Sequence, residues 1–320
     1  MGDELIIRPA RHDDLPQVER ICAHTWDWGD YIPEVWDEWL QGEEGSLAVA
    51  ELGDTIVALG RVVVLPEGQA WLEGMRVDPD YRRRGIAWRF TQYKLDFARR
   101  HGARIARLGT GDYNSAVHAM MERAGMQRAG QYVHLTAAAL PGDAPAVVSV
   151  DDAPRVHAFL RQSRALAETR SLYSIHWAWH ELSDAQADRF LQAGQIVGRF
   201  APDGALAALA VIERQADGER VWVGFADADP SVEAPAGVTI DLPAGEEARR
   251  GALLTHFAAD LRHYAAHAGV ESASIMVPRA QWLRDAFYAA GYEATEWKGE
   301  LWIYELALAE SLDDGEDDVG

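Results

Sequence analysis

Three short stretches of this chain recur in the same order, and that recurrence constrains the fold more than any other feature. Asp14-Leu15-Pro16-Gln17-Val18 is echoed by Asp152-Ala153-Pro154-Arg155-Val156. Phe97-Ala98-Arg99-Arg100-His101-Gly102 is echoed by Tyr264-Ala265-Ala266-His267-Ala268-Gly269, and Met121-Glu122-Arg123-Ala124-Gly125-Met126 by Phe287-Tyr288-Ala289-Ala290-Gly291-Tyr292. The separation between partners widens along the chain, so the second half carries extra residues. One supersecondary plan used twice leaves this kind of trace. A chain of 320 residues is too long for one ordinary core and comfortable for two. Pro141-Gly142-Asp143-Ala144-Pro145 reads as the linker. The expected organisation is a domain over 1–140, a second over 146–310, and an acidic tail over 311–320. The run Asp313-Asp314-Gly315-Glu316-Asp317-Asp318 in that tail reads as solvated charge and not as a metal site.

Within the first copy, hydrophobic alternation and turn residues predict strands over 5–8, 47–52, 55–64, 70–77, 104–110 and 128–135. Helices are predicted over 14–23, capped by Asp14 and Pro16, and over 33–40, 86–101 and 115–124. The order β-α-α-β-β-β-α-β-α-β predicts an α/β fold with a mixed sheet flanked by helices.

The charge balance narrows the partners. With 51 acidic and 30 basic residues the net charge is −21, which repels nucleic acid and anionic membrane surfaces. The single cysteine, Cys22, excludes an internal disulfide and reads as a small buried residue on a helix face with Val18 and Ile21. No charged-then-apolar leader opens the chain, and no apolar run approaches the roughly 18 residues of a membrane span. A cytoplasmic protein is the expectation.

The chemistry concentrates in Val77-Asp78-Pro79-Asp80-Tyr81-Arg82-Arg83-Arg84-Gly85-Ile86-Ala87. An apolar extended segment here enters an amphipathic helix through a loop bearing arginines and a glycine. Unpaired amides and the helix dipole make such a loop an anion site, and Gly85 and Ala87 let a phosphate approach the backbone.

The order Arg-x-x-Gly-x-Ala, preceded by Val-x-Pro, resembles the pyrophosphate loop of the GCN5-related N-acetyltransferases, the GNAT superfamily. The resemblance covers about 4–137 well and 147–308 weakly, and so implies two tandem GNAT-like domains. It implies acetyl-CoA as co-substrate, held by Arg82, Arg83, Arg84, Gly85, Ile86, Ala87 and Trp88. Met75, Arg76 and Val77 would line the pantetheine and thioester, and Asn114 would contact the cofactor while capping the next helix. An acidic residue facing the acceptor falls on Glu73. Alternation would put Glu73, Met75 and Val77 on one strand face, and burial among Trp71, Leu72 and Met75 would raise the Glu73 pKa toward that of a useful base. The competing reading is a structural Glu73 paired with Arg61 or Arg76. One position departs from the family. Where many members carry a tyrosine that protonates the leaving thiolate, this chain has Met121; either another group acts, with Tyr113 and Tyr132 the nearest in sequence, or the thiolate leaves unaided through water.

For the acceptor, Trp26, Trp28, Tyr31, Trp36 and Trp39 are interleaved with carboxylates. Aromatic faces beside carboxylates suit an amine cation. Trp36, Trp39 and Leu40 fit a helix core face, which leaves Trp28, Asp30 and Tyr31 as acceptor candidates. This segment together with Leu72-Glu73-Gly74-Met75-Arg76-Val77 looks like the histidine N-acetyltransferase group, which raises a free amino acid or another small amine as the acceptor.

The second copy reads as inactive. Aligned through the His-Ala-Gly echo, Arg249 matches Arg82, but Ala252 and Leu254 replace Gly85 and Ala87. Glu246 and Glu247 oppose phosphate, and Ala280 and Phe287 stand at the asparagine and tyrosine positions. His176 and His180 are spaced as helical metal ligands would be, but a third ligand is missing and packing is the expectation; no metal is expected anywhere. Two alternatives stay open beside a small-molecule N-acetyltransferase: a protein or peptide N-acetyltransferase, and a non-catalytic acyl-CoA-binding regulator. The sequence leaves the oligomeric state open.

Overall fold

The computed structural model describes residues 4–23, 25, 29–175, 177–214, 218–235, 242–295 and 299–308. Trp28, His176 and the acidic tail over 311–320 lie outside the described residues. In chain order the elements are β1 (Leu5–Pro9), α1 (Leu15–Cys22), α2 (Ile32–Gln41), β2 (Gly45–Leu52), β3 (Thr55–Leu65), β4 (Gln69–Val77), α3 (Ile86–Arg100), β5 (Ile105–Gly111), α4 (Ser115–Arg123) and β6 (Gln127–Ala138). They continue as β7 (Ala146–Val147), α5 (Ala153–Gln162), α6 (Arg164–Thr169), β8 (Leu172–Ile175), β9 (Ala178–Glu181), α7 (Asp184–Gln192), β10 (Ile196–Phe200), β11 (Leu206–Arg214), β12 (Arg220–Ala228), α8 (Glu246–His267), β13 (Ser272–Pro278), α9 (Gln281–Ala289), β14 (Glu293–Ala294) and β15 (Leu301–Ala307). The element order expected from the pattern for the first copy is the order found.

The described chain packs as two units. Unit 1 takes in residues up to Leu108, Ala116–Gln127 and the stretch from Tyr304 on; unit 2 takes in Gly109–Ser115 and Arg128–Ile303. In unit 1 the strands run β1-β2-β3-β4-β5, followed by residues 304–307 of β15. β1 to β4 are antiparallel meanders, as short turns dictate, and β4 and β5 are parallel across the α3 crossover. Both faces are covered. Val18, Ile21, Cys22, Ile32, Trp36 and Trp39 of α1 and α2 pack with Leu47, Val49, Ile56 and Leu59. On the other face Ile86 and Phe90 of α3 pack with Leu5, Ala48, Ala50, Val57 and Ala58. Trp36 and Trp39 therefore fill the core, as their helical spacing predicts. Asp14 does not cap α1 with its side chain; its carboxylate instead receives both Arg8 nitrogens at 2.8 Å and the Arg11 amide at 2.7 Å. Near β15, Arg107 donates to Glu305 at 3.2 Å and to Gln69 at 2.6 Å, with all three side chains buried.

The strand-face expectation for β4 fails at one residue. Opposite β3, Glu73 pairs with Arg61 and Arg76 with Leu59, so Gly74 and Met75 together oppose Gly60. This is a β-bulge, with Gly74 at φ +66°. It reverses the alternation. Leu59 and Arg61 share a face of β3, so Glu73 and Arg76 share the α1/α2 face, while Met75 and Val77 turn to the α3 side and pack with its cluster.

Unit 2 has the order β6-β13-β12-β11-β10-β7, with β12 and β13 parallel and α5, α8 and α9 closing one continuous core. β8 and β9 form a separate two-stranded hairpin. His180 lies on β9, so the helical spacing that suggested paired metal ligands does not apply. No described helix is long and apolar enough to cross a membrane.

Candidate active site

Two features of unit 1 define a slot. The parallel pairing of β4 and β5 covers Gln69↔Ile105 to Trp71↔Arg107 and stops there, although β4 runs on to Val77. Beyond Val77 the chain turns through a 3₁₀ segment, Pro79–Tyr81, fastened by the buried Asp78 carboxylate, which accepts from the Asp80 amide and from Arg20 at 3.0 Å each. Arg82, Arg83 and Arg84 follow, all exposed. Arg82 is held by the Val77 carbonyl at 3.2 Å and Arg84 by the Asp80 carbonyl at 3.2 Å. Gly85, at φ +76°, precedes α3 with no side-chain cap, and an added Cβ would meet nothing within 4 Å. The first helical bond runs from the Arg89 amide to the Gly85 carbonyl at 3.1 Å, so the amides of Ile86, Ala87 and Trp88 precede the first donor of the ladder. The Ile86 side chain is buried in the core, and Arg123 stacks over the Trp88 ring at 4.1 Å. This cradle, open and cationic at a helix start, fits a pyrophosphate.

The bulge carries the titratable groups. Glu73 accepts from Arg61 Nη1 at 2.9 Å, so the structural pairing foreseen for it exists. Burial nonetheless pushes its carboxyl above the ordinary range, with Arg61 and Lys94 only partly opposing this. Arg61 lies over the Trp39 ring at 5.0 Å, and a Cβ on Gly74 would fall 2.8 Å from that ring. Glycine is required at this position twice over, by its positive φ and by this contact.

Asp30 and Arg76 come together. Arg76 donates to both Asp30 oxygens, at 2.6 and 3.2 Å, and the Ile32 amide caps the same carboxylate at 3.2 Å. The Asp30 side chain is fully buried. Arg76 also sits 5.8 Å from the Tyr31 ring, which meets Trp39 edge-on at 5.9 Å and is 46 % exposed. Tyr31 thus offers an open aromatic face, whereas Asp30 and Arg76 hold each other. Breaking a buried pair leaves a buried charge, at a cost of about 3–5 kcal/mol. Asp30→Ala is therefore expected to lower the unfolding midpoint by roughly 10 °C in a thermal melt, whereas an exposed acceptor contact would leave it unmoved.

Cys22 is buried, and burial together with the Asp30 carboxylate pushes its thiol up to about 12, which rules out a nucleophile. Tyr113 and Asn114 lie in the 109–115 segment that groups with unit 2. Tyr113 is 67 % exposed, and Asn114 stands directly before α4. Met121 is buried.

Lys94 escaped the sequence reading. It stands on α3 under the bulge, 4 % exposed, with its Nζ 3.5 Å from the Glu73 carbonyl. Its place on the buried stripe of Phe90, Leu95 and Ala98 was the available signal.

Unit 2 repeats the bulge without its chemistry. Opposite β11, Val223 pairs with Ile212 and Phe225 with Val211, leaving Gly224 as the extra residue. The counterpart of Glu73 is thus the buried Val223. The β12–β13 pairing also stops early, at Val223↔Ile275, and β8 packs over β12 there. The Ser174 carbonyl accepts from Trp222 Nε1 at 2.9 Å and lies 2.8 Å from where a Gly224 Cβ would be. The alignment that placed the counterpart loop at 249–254 is corrected: α8 begins at Glu246, so Arg249, Ala252 and Leu254 are helical and Leu254 is buried. Arg250 of that first stretch is tied to the fully buried Asp227, which also accepts from Ser163 at 2.7 Å.

Residues 14–126 match the model of the Acetyltransferase (GNAT) family. A histidine N-acetyltransferase of Oreochromis niloticus is 29 % identical over 79 residues, 24 % of this chain and 23 % of that protein. The chain thus spans about a quarter of the length of the curated relatives it matches. A GCN5-related N-acetyltransferase from Sphaerobacter thermophilus superposes with a TM-score of 0.62 at 15 % identity, over 94 % of this chain and 95 % of that one. A tandem GNAT protein from the clavulanic acid biosynthesis pathway does so at 0.52 and 15 % identity, over 95 % and 98 %. These superpositions show a shared two-domain fold over 94–95 % of the chain.

Proposed function

We propose that this chain, a tandem-domain member of the GNAT acetyltransferase superfamily, moves the acetyl group of acetyl-CoA to the primary amine of a small molecule. The repeats over 1–140 and 146–310 are on this reading the units of duplication, the first active and the second degenerate. One observation carries the proposal: the slot where β4 and β5 part is bordered by an uncapped, arginine-flanked helix start at one end and by a desolvated carboxyl on a bulge at the other.

The loop 82–88 would hold the pyrophosphate through backbone amides, with Arg82, Arg83 and Arg84 supplying charge. Met75 and Val77 turn to the α3 side of the bulge, and their backbone would run alongside the pantetheine arm. A backbone amide at the bulge would meet the thioester oxygen, where negative charge develops. An ammonium near pKa 10 must lose a proton before it can attack, and Glu73 accepts that proton directly or through one water. Arg61 steadies the carboxylate, and the exposed Tyr31 face suits the incoming cation. Asp30 acts at one remove, by fixing Arg76. Asn114 and Tyr113 remain candidates for cofactor contact and proton donation; Trp28 remains a candidate on the acceptor side.

The likeness to histidine N-acetyltransferases falls on a quarter of those proteins and supports a free amino acid or similar amine as acceptor. A coenzyme A release assay across free amino acids, polyamines and lysine peptides tests the proposal. Turnover on small amines and little on peptides is the expected result. Preference for peptides would move the chain to protein acetylation, and tight acetyl-CoA binding without turnover would make it a binding protein.

A further inference from the structure

Lys94 presents a problem of charge. It belongs to the apolar stripe of α3 and is 4 % exposed. Its ammonium has three donors, yet among the described residues it meets one acceptor, the Glu73 carbonyl at 3.5 Å. Its Nζ also lies 3.6 Å from where a Gly60 Cβ would be, opposite the bulge. A buried ammonium with one neutral neighbour is costly unless a further acceptor or an anion arrives. The bulge places the Glu73 side chain on the α1/α2 face and Lys94 on the α3 face. A carboxylate and an ammonium thus approach the same two residues, Gly74 and Met75, from opposite sides, where β4 and β5 have just parted.

We propose that Lys94 protonates the departing thiolate of the acyl donor, supplying the proton that the buried Met121 has no group to give. This rests on the acetyl-transfer reading above. The acceptor nitrogen bonds the carbonyl carbon, the carbon–sulfur bond breaks with its electron pair on sulfur, and one proton passes from Lys94 Nζ to that sulfur. Glu73 first takes the ammonium proton and passes it through water to solvent; the second proton, shed by nitrogen as the amide forms, goes to Glu73, and water returns it to Lys94. Burial lowers the Lys94 pKa to about 8, with Glu73 raising it and Arg76 lowering it further. Arg61, the remaining charge at the bulge, is held by Glu73. The ammonium is therefore present near neutrality and is a better acid than a solvated lysine.

Lys94→Met and Lys94→Arg in the full chain test this by a readout other than rate. Coenzyme A and desulfo-coenzyme A are titrated calorimetrically, and the thiol of bound coenzyme A is titrated by its ultraviolet thiolate absorbance. A neighbouring cation lowers a thiol pKa. The wild-type chain is expected to lower that pKa by about one unit, and Lys94→Met to abolish the shift while desulfo-coenzyme A binds as before. Turnover of the best amine then falls about 100-fold and loses its alkaline limb; Lys94→Arg keeps the thiol shift but not the turnover. An unchanged thiol pKa in Lys94→Met overturns the proposal, as does an equal loss of desulfo-coenzyme A affinity, which marks a packing role. A wild-type chain that acetylates no amine overturns the acetyl-transfer reading and the acid role with it, whereas amine turnover with an unchanged thiol pKa in Lys94→Met overturns the acid role alone.

Discussion

Glu73→Gln is expected to lower kcat for the preferred amine by about 10³-fold at neutral pH, within the range for loss of a positioned base. The amide is isosteric and can still accept from Arg61, so acetyl-CoA affinity and the unfolding midpoint should hold. The wild-type pH profile provides a second reading. Burial holds the Glu73 carboxyl above the ordinary range, so activity should rise as pH climbs through that raised value and the base loses its proton. In Glu73→Gln this limb disappears, and on the acid side only the titration of the free amine remains. A variant with wild-type kcat, or one that keeps the acid limb, would return Glu73 to a purely structural pairing with Arg61.

The second large effect is on binding. Gly85→Glu sets a carboxylate into the open cradle ahead of α3. At about 5 Å and an effective dielectric near 20, one repulsive pair costs about 3 kcal/mol, or roughly two decades in Kd. Unit 2 supplies a matched comparison. Gly245 also precedes a helix at positive φ, +98°, with nothing within 4 Å of an added Cβ. Gly245→Glu brings the same charge and comparable backbone strain, and is expected to leave acetyl-CoA affinity unchanged. Calorimetric titration of both variants decides the matter; equal losses would mean that the second repeat also binds the cofactor.

Much of unit 1 was legible from pattern alone, because its strands and helices carry strong periodicities bounded by Gly, Pro and Asp. The anion loop was legible for a similar reason: Arg82 to Ala87 states its chemistry in consecutive residues. The bulge was not. Gly74, a lone glycine inside a strand run, was the available sign, but the alternation reads straight through it; the extra residue moves Arg76 to the Glu73 face and turns Met75 and Val77 away. Arg76 therefore reads in sequence as a pantetheine neighbour and in three dimensions as the partner of Asp30. That pairing joins residues 46 positions apart, beyond the reach of any periodicity. The packing of β8 over β12 was hidden likewise, since nothing in Tyr173 or Ser174 announces that their strand will lie against Gly224. Lys94 was visible as a charge on an apolar stripe, but a long side chain at such a position commonly reaches solvent.

The assignment of residues 304–308 to unit 1 has a bearing on how the protein is made. The unit that holds Glu73 and the anion loop is assembled from residues up to Leu108, from Ala116–Gln127 and from a stretch that follows the second repeat. Until Tyr304 and its neighbours emerge, Arg107 lacks its buried partner Glu305. The nascent first repeat must wait, sheet incomplete, while the whole of the second is synthesised. A transcript cut short anywhere in the second repeat therefore yields no finished first one.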